Sequence, residues 1–185
     1  MTTVSAHDVA AAIRERLPNV GKVKLHKLLY YAQGYHLARF DVPLFREQIH
    51  AFNLGPVCAD LWHDEDKHRP KPPPTQLDDR QLNTIGYVAS RFGSISEADL
   101  IYMTHAEVPW QEADRRRHFR RGDDQIPMDA LHAFFRDRVA TDAAAAEIQI
   151  DPADLAREVA LASANIGRPG RRDSVEGVFA RLAGD

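Results

Sequence analysis

The segment from Lys22 to Phe40, KVKLHKLLYYAQGYHLARF, constrains the fold of this chain more than any other. It contains no proline and a single glycine, and its large apolar residues recur at helical spacing along one broad arc. Val23, Tyr30 and Leu37 form a narrower second stripe, nearly opposite that arc. A helix at a protein surface needs only one apolar face, so a helix with two is expected to be covered on both sides. The segment therefore predicts a central buried helix in a mainly α-helical domain.

The remaining positions of this helix predict its surroundings. Gly34 lies between the two stripes, where glycine costs about 1 kcal/mol relative to alanine, so a neighbouring element is expected to approach closely there. The narrow stripe also allows a second interpretation, in which Tyr30 and Leu37 form a docking seam for a partner. Polar side chains expected to face solvent or a partner are those of Lys22, Lys24, Lys27 and Gln33, and core positions are expected at Leu28, Leu29, Tyr31, Tyr35 and Trp110.

Cap and turn signals divide the rest of the first 140 residues into short elements. Ser5 with Asp8 predicts the start of a first helix. Alternation from Gln48 to Leu54 predicts a short strand or hairpin, and Pro56 is expected at the first position of the helix that follows. The prolines between residues 69 and 75 predict an extended loop. Further helices are expected near Leu77–Phe92, after Ser96, from Trp110 to Arg117, and after Pro127.

The character of the sequence changes after Thr141. A helix is expected from Pro152 to about Ala164, followed by a basic linker rich in glycine over residues 167–172. A last short helix would carry Val175, Val178, Phe179 and Leu182 on one face. A helix of this length is marginal alone in water, so its apolar face is expected to dock on the core or on a partner. These patterns predict a helical domain over residues 1–140 and a two-helix arm over residues 141–185.

Composition narrows the class of protein. Hydrophobic residues make up 44% and charged residues 28% of 185 residues, as in a soluble globular chain. The formal net charge of −3 provides no global field for nucleic acid. Cys58 is the single cysteine, so no internal disulfide can form, and it is expected to be a small buried apolar residue. The N-terminus lacks the pattern of a signal peptide, and no apolar run reaches the roughly 20 residues of a membrane helix. We therefore expect a cytoplasmic protein.

No local pattern predicts catalysis, a metal or a cofactor. The nine histidines include no HExxH pair, and neither His26 with His36 nor His63 with His68 has the spacing that places two rings on one helical face. No nucleophile elbow, Walker loop or dinucleotide-binding motif is present. We expect a protein that is not an enzyme and needs no metal.

One basic cluster stands out, formed by Arg115, Arg116, Arg117, Arg120 and Arg121. It could meet phosphates or an acidic protein surface. The alternative is a solvated helix end whose arginines complement the helix dipole. The sequence leaves these readings open.

Four short motifs in a fixed order resemble one family. Residues 24–33, KLHKLLYYAQ, are similar to a KLxKLLYYAQ signature, and PLF at 43–45 precedes AFNLGPV at 51–57. Thr104-His105 with Pro109-Trp110 is similar to a "TH…PWxxA" segment, and Ile126-Pro127 begins a similar closing part. On these residues the chain resembles the Panacea antitoxin domain family, which includes SocA-like antitoxins and phage-associated GepA-like proteins. The likeness covers Val20 to Arg138 and departs from the pattern at Phe52, where a tryptophan is expected.

The resemblance implies an antitoxin that neutralises a co-encoded toxin by direct protein contact, without naming the toxin. It also associates SocA-like members with delivery of a toxin to a ClpXP-type protease. A DNA-binding regulator of its own operon is the alternative. The arm argues against a helix-turn-helix, because the stretch between its helices is longer than a three- or four-residue turn.

The resemblance and the patterns together divide the candidate residues into two sets. Most motif residues are expected to define the fold, namely Lys24, Leu25, Lys27, Leu28, Leu29, Tyr31, Gly55, Pro56, Thr104, His105, Pro109 and Trp110. The candidates for toxin contact are Tyr30, Leu37, Arg115, Arg116, Arg120, Val175, Val178, Phe179 and Leu182.

Overall fold

The computed structural model describes residues 4–70, 72–119 and 124–141. Within these ranges the fold is mainly α, as predicted, with one two-stranded antiparallel sheet. The described residues all fall within one unit, Met1–Ala143. None of its described helices is both long and apolar enough to cross a membrane. In chain order the elements are α1 (Ala6–Arg16), α2 (Lys22–Phe40), β1 (Ile49–Phe52), β2 (Gly55–Cys58), α3 (Ala59–Asp66), α4 (Asp79–Phe92), α5 (Glu97–His105), α6 (Val108–Phe119) and α7 (Met128–Thr141).

Helix α2 begins and ends at the predicted residues and is the core of the domain. Every residue from Leu25 to Leu37 is buried, so both faces of the helix are covered. Gly34 allows the close approach that its position predicts, because a Cβ atom there would lie 2.3 Å from ring atoms of Phe135 on α7. The Phe135 ring packs edge-on against those of Tyr30 and Tyr35, with centroid distances of 5.5 and 5.1 Å.

Two polar residues of α2 correct the prediction that they face solvent or a partner. Lys27 and Gln33 are both fully buried. The Gln33 Oε1 atom accepts from the backbone N–H groups of Leu44 and Phe45, and its Nε2 donates to the Phe45 carbonyl. Gln33 thus satisfies backbone groups of the chain leaving α2, as buried polar groups require.

The hairpin also corrects the prediction that Pro56 begins a helix. Gly55 to Cys58 forms β2, which pairs with β1 in the register Ile49 to Cys58 and Phe52 to Gly55. The strand β1 was predicted, and its buried side contains Ile49 and Ala51 as expected. Pro56 lies opposite Ala51 in this register. The backbone of Ala51 bonds that of Asp124, and the backbone of Ile49 bonds that of Ile126. The position opposite Pro56 therefore needs no amide donor from β2.

Local sequence signals locate the other helices well. Ser5 and Asp78 both form capping boxes, and Ser96 accepts from the amide of Asp99 at the start of α5. Helix α7 begins directly after Pro127. The prolines of the loop at residues 69–75 lie outside any helix or strand where that loop is described.

Helix α7 is joined to α2 and to the start of α6 by a buried polar cluster. The Glu107 Oε1 atom accepts from the Tyr31 hydroxyl at 3.1 Å and pairs with the guanidinium of Arg138 on α7. Glu107 is 7% exposed, and its burial raises the pKa of the carboxyl group. This ion pair therefore helps to fix α7 over Gly34.

Candidate functional site

The motif residues are far apart in sequence but meet where α2, the hairpin and α5 pack together. The Lys27 ammonium donates to the Pro56 carbonyl at 3.0 Å. Gly55 adopts a φ of +99°, and a Cβ atom there would lie 2.7 Å from Lys27 Cε and 2.8 Å from Thr104 Oγ1. Glycine is therefore required at this position for its backbone angle and for the space it leaves.

The TH…PW segment also contacts the hairpin. The Thr104 hydroxyl donates to the Leu100 carbonyl at 2.9 Å, within α5. The His105 ring stacks on Trp110 with centroids 4.0 Å apart, and Trp110 Nε1 donates to the Phe52 carbonyl at 3.3 Å. Trp110 is only half-buried, which corrects its expected place in the core. The motif residues thus act together to position the hairpin.

Lys27 has an unusual environment for a lysine. It is fully buried and forms no ion pair with a carboxylate of the described residues. Burial lowers the pKa of its ammonium from 10.5 to about 7, although the charge of Glu97 opposes that shift. An ammonium has three N–H donors, and in the described structure only the Pro56 carbonyl receives one.

A cleft of about 330 Å³ opens beside the hairpin. The tip residue Leu54 is 51% exposed, and Phe52 and Trp62 are half-buried. Because one exposed and two half-buried large apolar side chains gather here, the cleft is the strongest candidate for a binding surface among the described residues. It is lined by Val23, Lys27, Phe52, Asn53, Leu54, Val57, Trp62, Arg117 and Asp124.

The buried thiol and imidazole near the cleft are poorly suited to catalysis. His26 Nδ1 accepts from the Cys58 amide at 3.2 Å, which places the ring proton on Nε2. Burial lowers the pKa of His26 to about 3 and raises that of the Cys58 thiol to about 12. At neutral pH the imidazole is uncharged and the thiol is protonated, so this pair provides no thiolate nucleophile.

Metal-ligating side chains do not gather within the described ranges. No group of three or more histidine, cysteine, aspartate or glutamate residues there could hold a metal ion. The predictions that the protein is not an enzyme and needs no metal stay predictions for the whole chain.

The predicted toxin-contact residues fall into three groups. Tyr30 and Leu37 are 0% and 4% exposed, because other elements cover the narrow stripe, so they form no open docking seam in this structure. Arg115 is exposed, whereas Arg116 donates to the Gln125 carbonyl at 2.8 Å and Arg117 bonds Asn53 and Asp114. The remaining candidates lie outside the described residues, namely Arg120, Val175, Val178, Phe179 and Leu182, as does Arg121 of the basic cluster.

Neither the cleft nor the burial of Lys27 is among the predictions from the sequence patterns. One signal does indicate the burial of Lys27, namely its place between Val23 and Tyr30 on the narrow stripe. The same spacing of three and four residues continues through Gly34 and Leu37. Because the narrow stripe is expected to be covered by other elements, a lysine on that stripe is expected to be buried as well. The cleft has no comparable signal, because its lining comes from five separate elements and two loops.

Comparison with known proteins confirms the resemblance. Residues 25–111 match the family described as "Antitoxin SocA-like, Panacea domain". This segment of the chain is similar to the Panacea domain. The match runs from α2 into the first turn of α6 and includes Lys27, Gly55 and Thr104, whereas the resemblance read from the motifs extends over Val20 to Arg138. No match was found among curated proteins or among solved structures.

Proposed function

We propose that this protein is the antitoxin of a toxin–antitoxin pair and neutralises a co-encoded toxin by direct protein–protein binding in the cytoplasm. The observation that carries the proposal is the match of residues 25–111 to a family named for SocA-like antitoxins. This similarity gives the chain an antitoxin-like character, and the binding mechanism is our inference.

The geometry of this domain supports binding better than catalysis. Its motif residues form hydrogen bonds that hold the hairpin in place, and the buried imidazole and thiol have pKa values unsuited to reaction at neutral pH. What the domain presents outward is a cleft with apolar walls. Such a surface contributes to affinity when a partner removes it from water.

Co-expression tests the proposal. The gene adjoining this one is expected to encode a protein that arrests growth when expressed alone. We expect expression of this protein to restore growth, and we expect the two proteins to purify together as a stable complex. Glu107→Lys provides a control, because it places a lysine beside Arg138 in a buried cluster and is expected to unfold the domain. Unchanged growth arrest in the presence of folded wild-type protein would contradict the proposal.

The two alternatives predict different outcomes of the same co-expression. An operon regulator would lower the amount of toxin transcript without forming a complex. A proteolytic adaptor would restore growth only in cells with an active ClpXP-type protease. No described residue specifically favours either activity.

A further inference from the structure

We propose that the hairpin separates locally from α2 when Lys27 is protonated, which makes the shape of the neighbouring cleft sensitive to pH. In the closed form, which the structure shows, β2 packs on α2 and Lys27 is fully buried. In the open form, water reaches the Lys27 ammonium group. The device belongs to this protein alone, so its test needs no toxin, and its failure leaves the proposed function standing.

Two consecutive residues of α2 hold the hairpin in the closed form. His26 Nδ1 accepts from the Cys58 amide at 3.2 Å, and Lys27 Nζ donates to the Pro56 carbonyl at 3.0 Å. The Lys27 side chain also packs directly against Gly55, where a Cβ atom would lie 2.7 Å from Lys27 Cε. Because all three contacts reach β2, movement of this strand away from α2 would uncover the Lys27 side chain.

The cleft is the route by which water would reach Lys27. Lys27 borders the cleft, although its side chain is not exposed to solvent in the closed form. The hairpin contributes Phe52, Leu54 and Val57 to the lining of the same cleft. Movement of these residues away from α2 would therefore extend the cleft to the Lys27 amine and change the surface that the cleft presents.

The charge of Lys27 determines which form is favoured. A buried neutral amine needs no counter-charge, whereas a buried ammonium group has no carboxylate partner among the described residues and binds only the Pro56 carbonyl. Burial lowers the pKa of Lys27 to about 7, and contact with water in the open form would restore it towards 10.5. The ratio of open to closed form should therefore increase about tenfold for each unit by which the pH falls between these two values, and it should level off below pH 7.

Several other groups set the electrostatic environment of Lys27. Those that face it are His26 on α2, Cys58 on β2, Glu97 and His105 on α5, Arg117 on α6, and Asp124 in the segment after α6. Burial lowers the pKa of His26 to about 3, lowers that of His105 from its ordinary value of 6.5, and raises that of the Cys58 thiol to about 12. The imidazoles are therefore largely neutral and the thiol is protonated between pH 7 and pH 9. The charge of Glu97 favours the ammonium form of Lys27 but does not cancel the effect of burial.

Hydrogen exchange of the Cys58 amide in the full-length protein tests the device, because the acceptor of that amide lies on α2. When reclosing is fast, the exchange rate is the open fraction multiplied by an intrinsic rate that is proportional to hydroxide concentration. In the wild type the open fraction should fall as hydroxide rises, so the rate should stay nearly constant from pH 7 to pH 9. In Lys27→Met the open fraction has no such dependence, and the rate should rise about 100-fold over the same range.

Lys24→Met is the matched control. Lys24 also lies on α2 and donates to the backbone carbonyls of Gly93 and Ile95, at 2.7 and 2.6 Å, but it is only half-buried. This variant should keep the nearly constant Cys58 exchange rate of the wild type. The Leu29 amide, in the buried middle of α2, reports global unfolding and should exchange more slowly than the Cys58 amide at each pH.

Three results would overturn the proposal. A wild-type Cys58 rate with the same dependence on pH as that of Lys27→Met would show that Lys27 does not control the opening. Equal rates at Cys58 and Leu29 would show that the hairpin opens only when the whole domain unfolds. The third result comes from the wild type alone and decides the question even if Lys27→Met does not fold. The NMR signal of Lys27 Cε should titrate near pH 7, and a midpoint near the ordinary lysine value of 10.5 would overturn the proposal.

Discussion

Gly55 is the residue whose replacement the structure predicts to be most damaging in the hairpin. Its φ of +99° disfavours any L side chain, and a Cβ atom would lie 2.7 Å from Lys27 Cε. We expect Gly55→Ala to lower the free energy of unfolding by about 1–3 kcal/mol, measured by urea denaturation.

Gly86 provides the matched control for Gly55. It lies within α4, and a Cβ atom there would meet nothing within 4 Å. Gly86→Ala should therefore raise the free energy of unfolding by about 0.5–1 kcal/mol through helix propensity. Equal effects of the two alanines would contradict the role of Gly55.

Lys27 should also make stability depend on pH. The pKa of its amine is about 7 in the folded protein, whereas the ordinary value for lysine is 10.5. Between pH 7 and pH 10.5 the unfolded chain therefore binds more protons than the folded protein. The free energy of unfolding should therefore rise with pH from about 7 to 10, and the rise should be smaller in Lys27→Met. Urea denaturation at pH 7 and pH 9 measures it. Equal slopes in both proteins would contradict the buried, weakly basic amine.

Two buried histidines predict a loss of stability in acid. Burial lowers the pKa of His26 to about 3 and that of His36 to about 4, from 6.5. The unfolded chain binds more protons between these values and 6.5, so the free energy of unfolding should fall as pH falls from 6.5 towards 4. In a His36→Gln variant the free energy of unfolding should fall less steeply with pH than in the wild type. A wild type equally stable at pH 6.5 and pH 4 would contradict the burial of these rings.

Single residues also show where prediction from the sequence ended. Periodicity located the buried Leu28, Leu29, Tyr31 and Tyr35 because each is apolar and recurs at helical spacing. It failed for Lys27 and Gln33, because a polar residue can be buried when it meets a backbone partner from a distant part of the chain. Such partners, the Pro56 and Phe45 carbonyls, depend on tertiary packing that the local pattern does not contain.

At the scale of the element, α2 should dominate the stability of the domain. Leu28 is fully buried, so Leu28→Ala should cost about 2–5 kcal/mol of unfolding free energy. Leu54→Ala is the matched control, since its side chain is half exposed and such changes move stability by no more than about 0.5 kcal/mol. Thermal melts of both variants provide the measurement. A Leu28→Ala variant that melts with the wild type would contradict a central position for α2.

The hairpin shows why an element can be misassigned from sequence. Gly55-Pro56 before apolar residues is typical of a helix start, and α3 does begin three residues later, at Ala59. Local signals do not contain two contacts with distant parts of the chain. Residues 124–126 bond the backbone of β1, and Lys27 donates to the Pro56 carbonyl. The extended conformation of Pro56 follows from those distant contacts.

At the scale of the whole molecule, the division into a domain of residues 1–140 and an arm of residues 141–185 stays a prediction from sequence. We expect a protein truncated after Thr141 to retain a cooperative thermal melt, because α7 ends there and is fixed to Glu107 through Arg138. We expect its neutralisation of the toxin to be weaker, because the truncated protein lacks the apolar residues Val175, Val178, Phe179 and Leu182. Loss of the cooperative melt would show that the core depends on the arm, and undiminished neutralisation would show that the arm is dispensable.

The central claim is that the protein neutralises a toxin by binding it, and one titration tests this most directly. The activity of a fixed amount of purified toxin is measured as this protein is added. We predict that inhibition rises in proportion to the added protein and is complete at a fixed molar ratio, with both proteins recovered unmodified in one complex. Complete inhibition by a small fraction of that amount, with a chemically altered toxin as the product, would contradict the account.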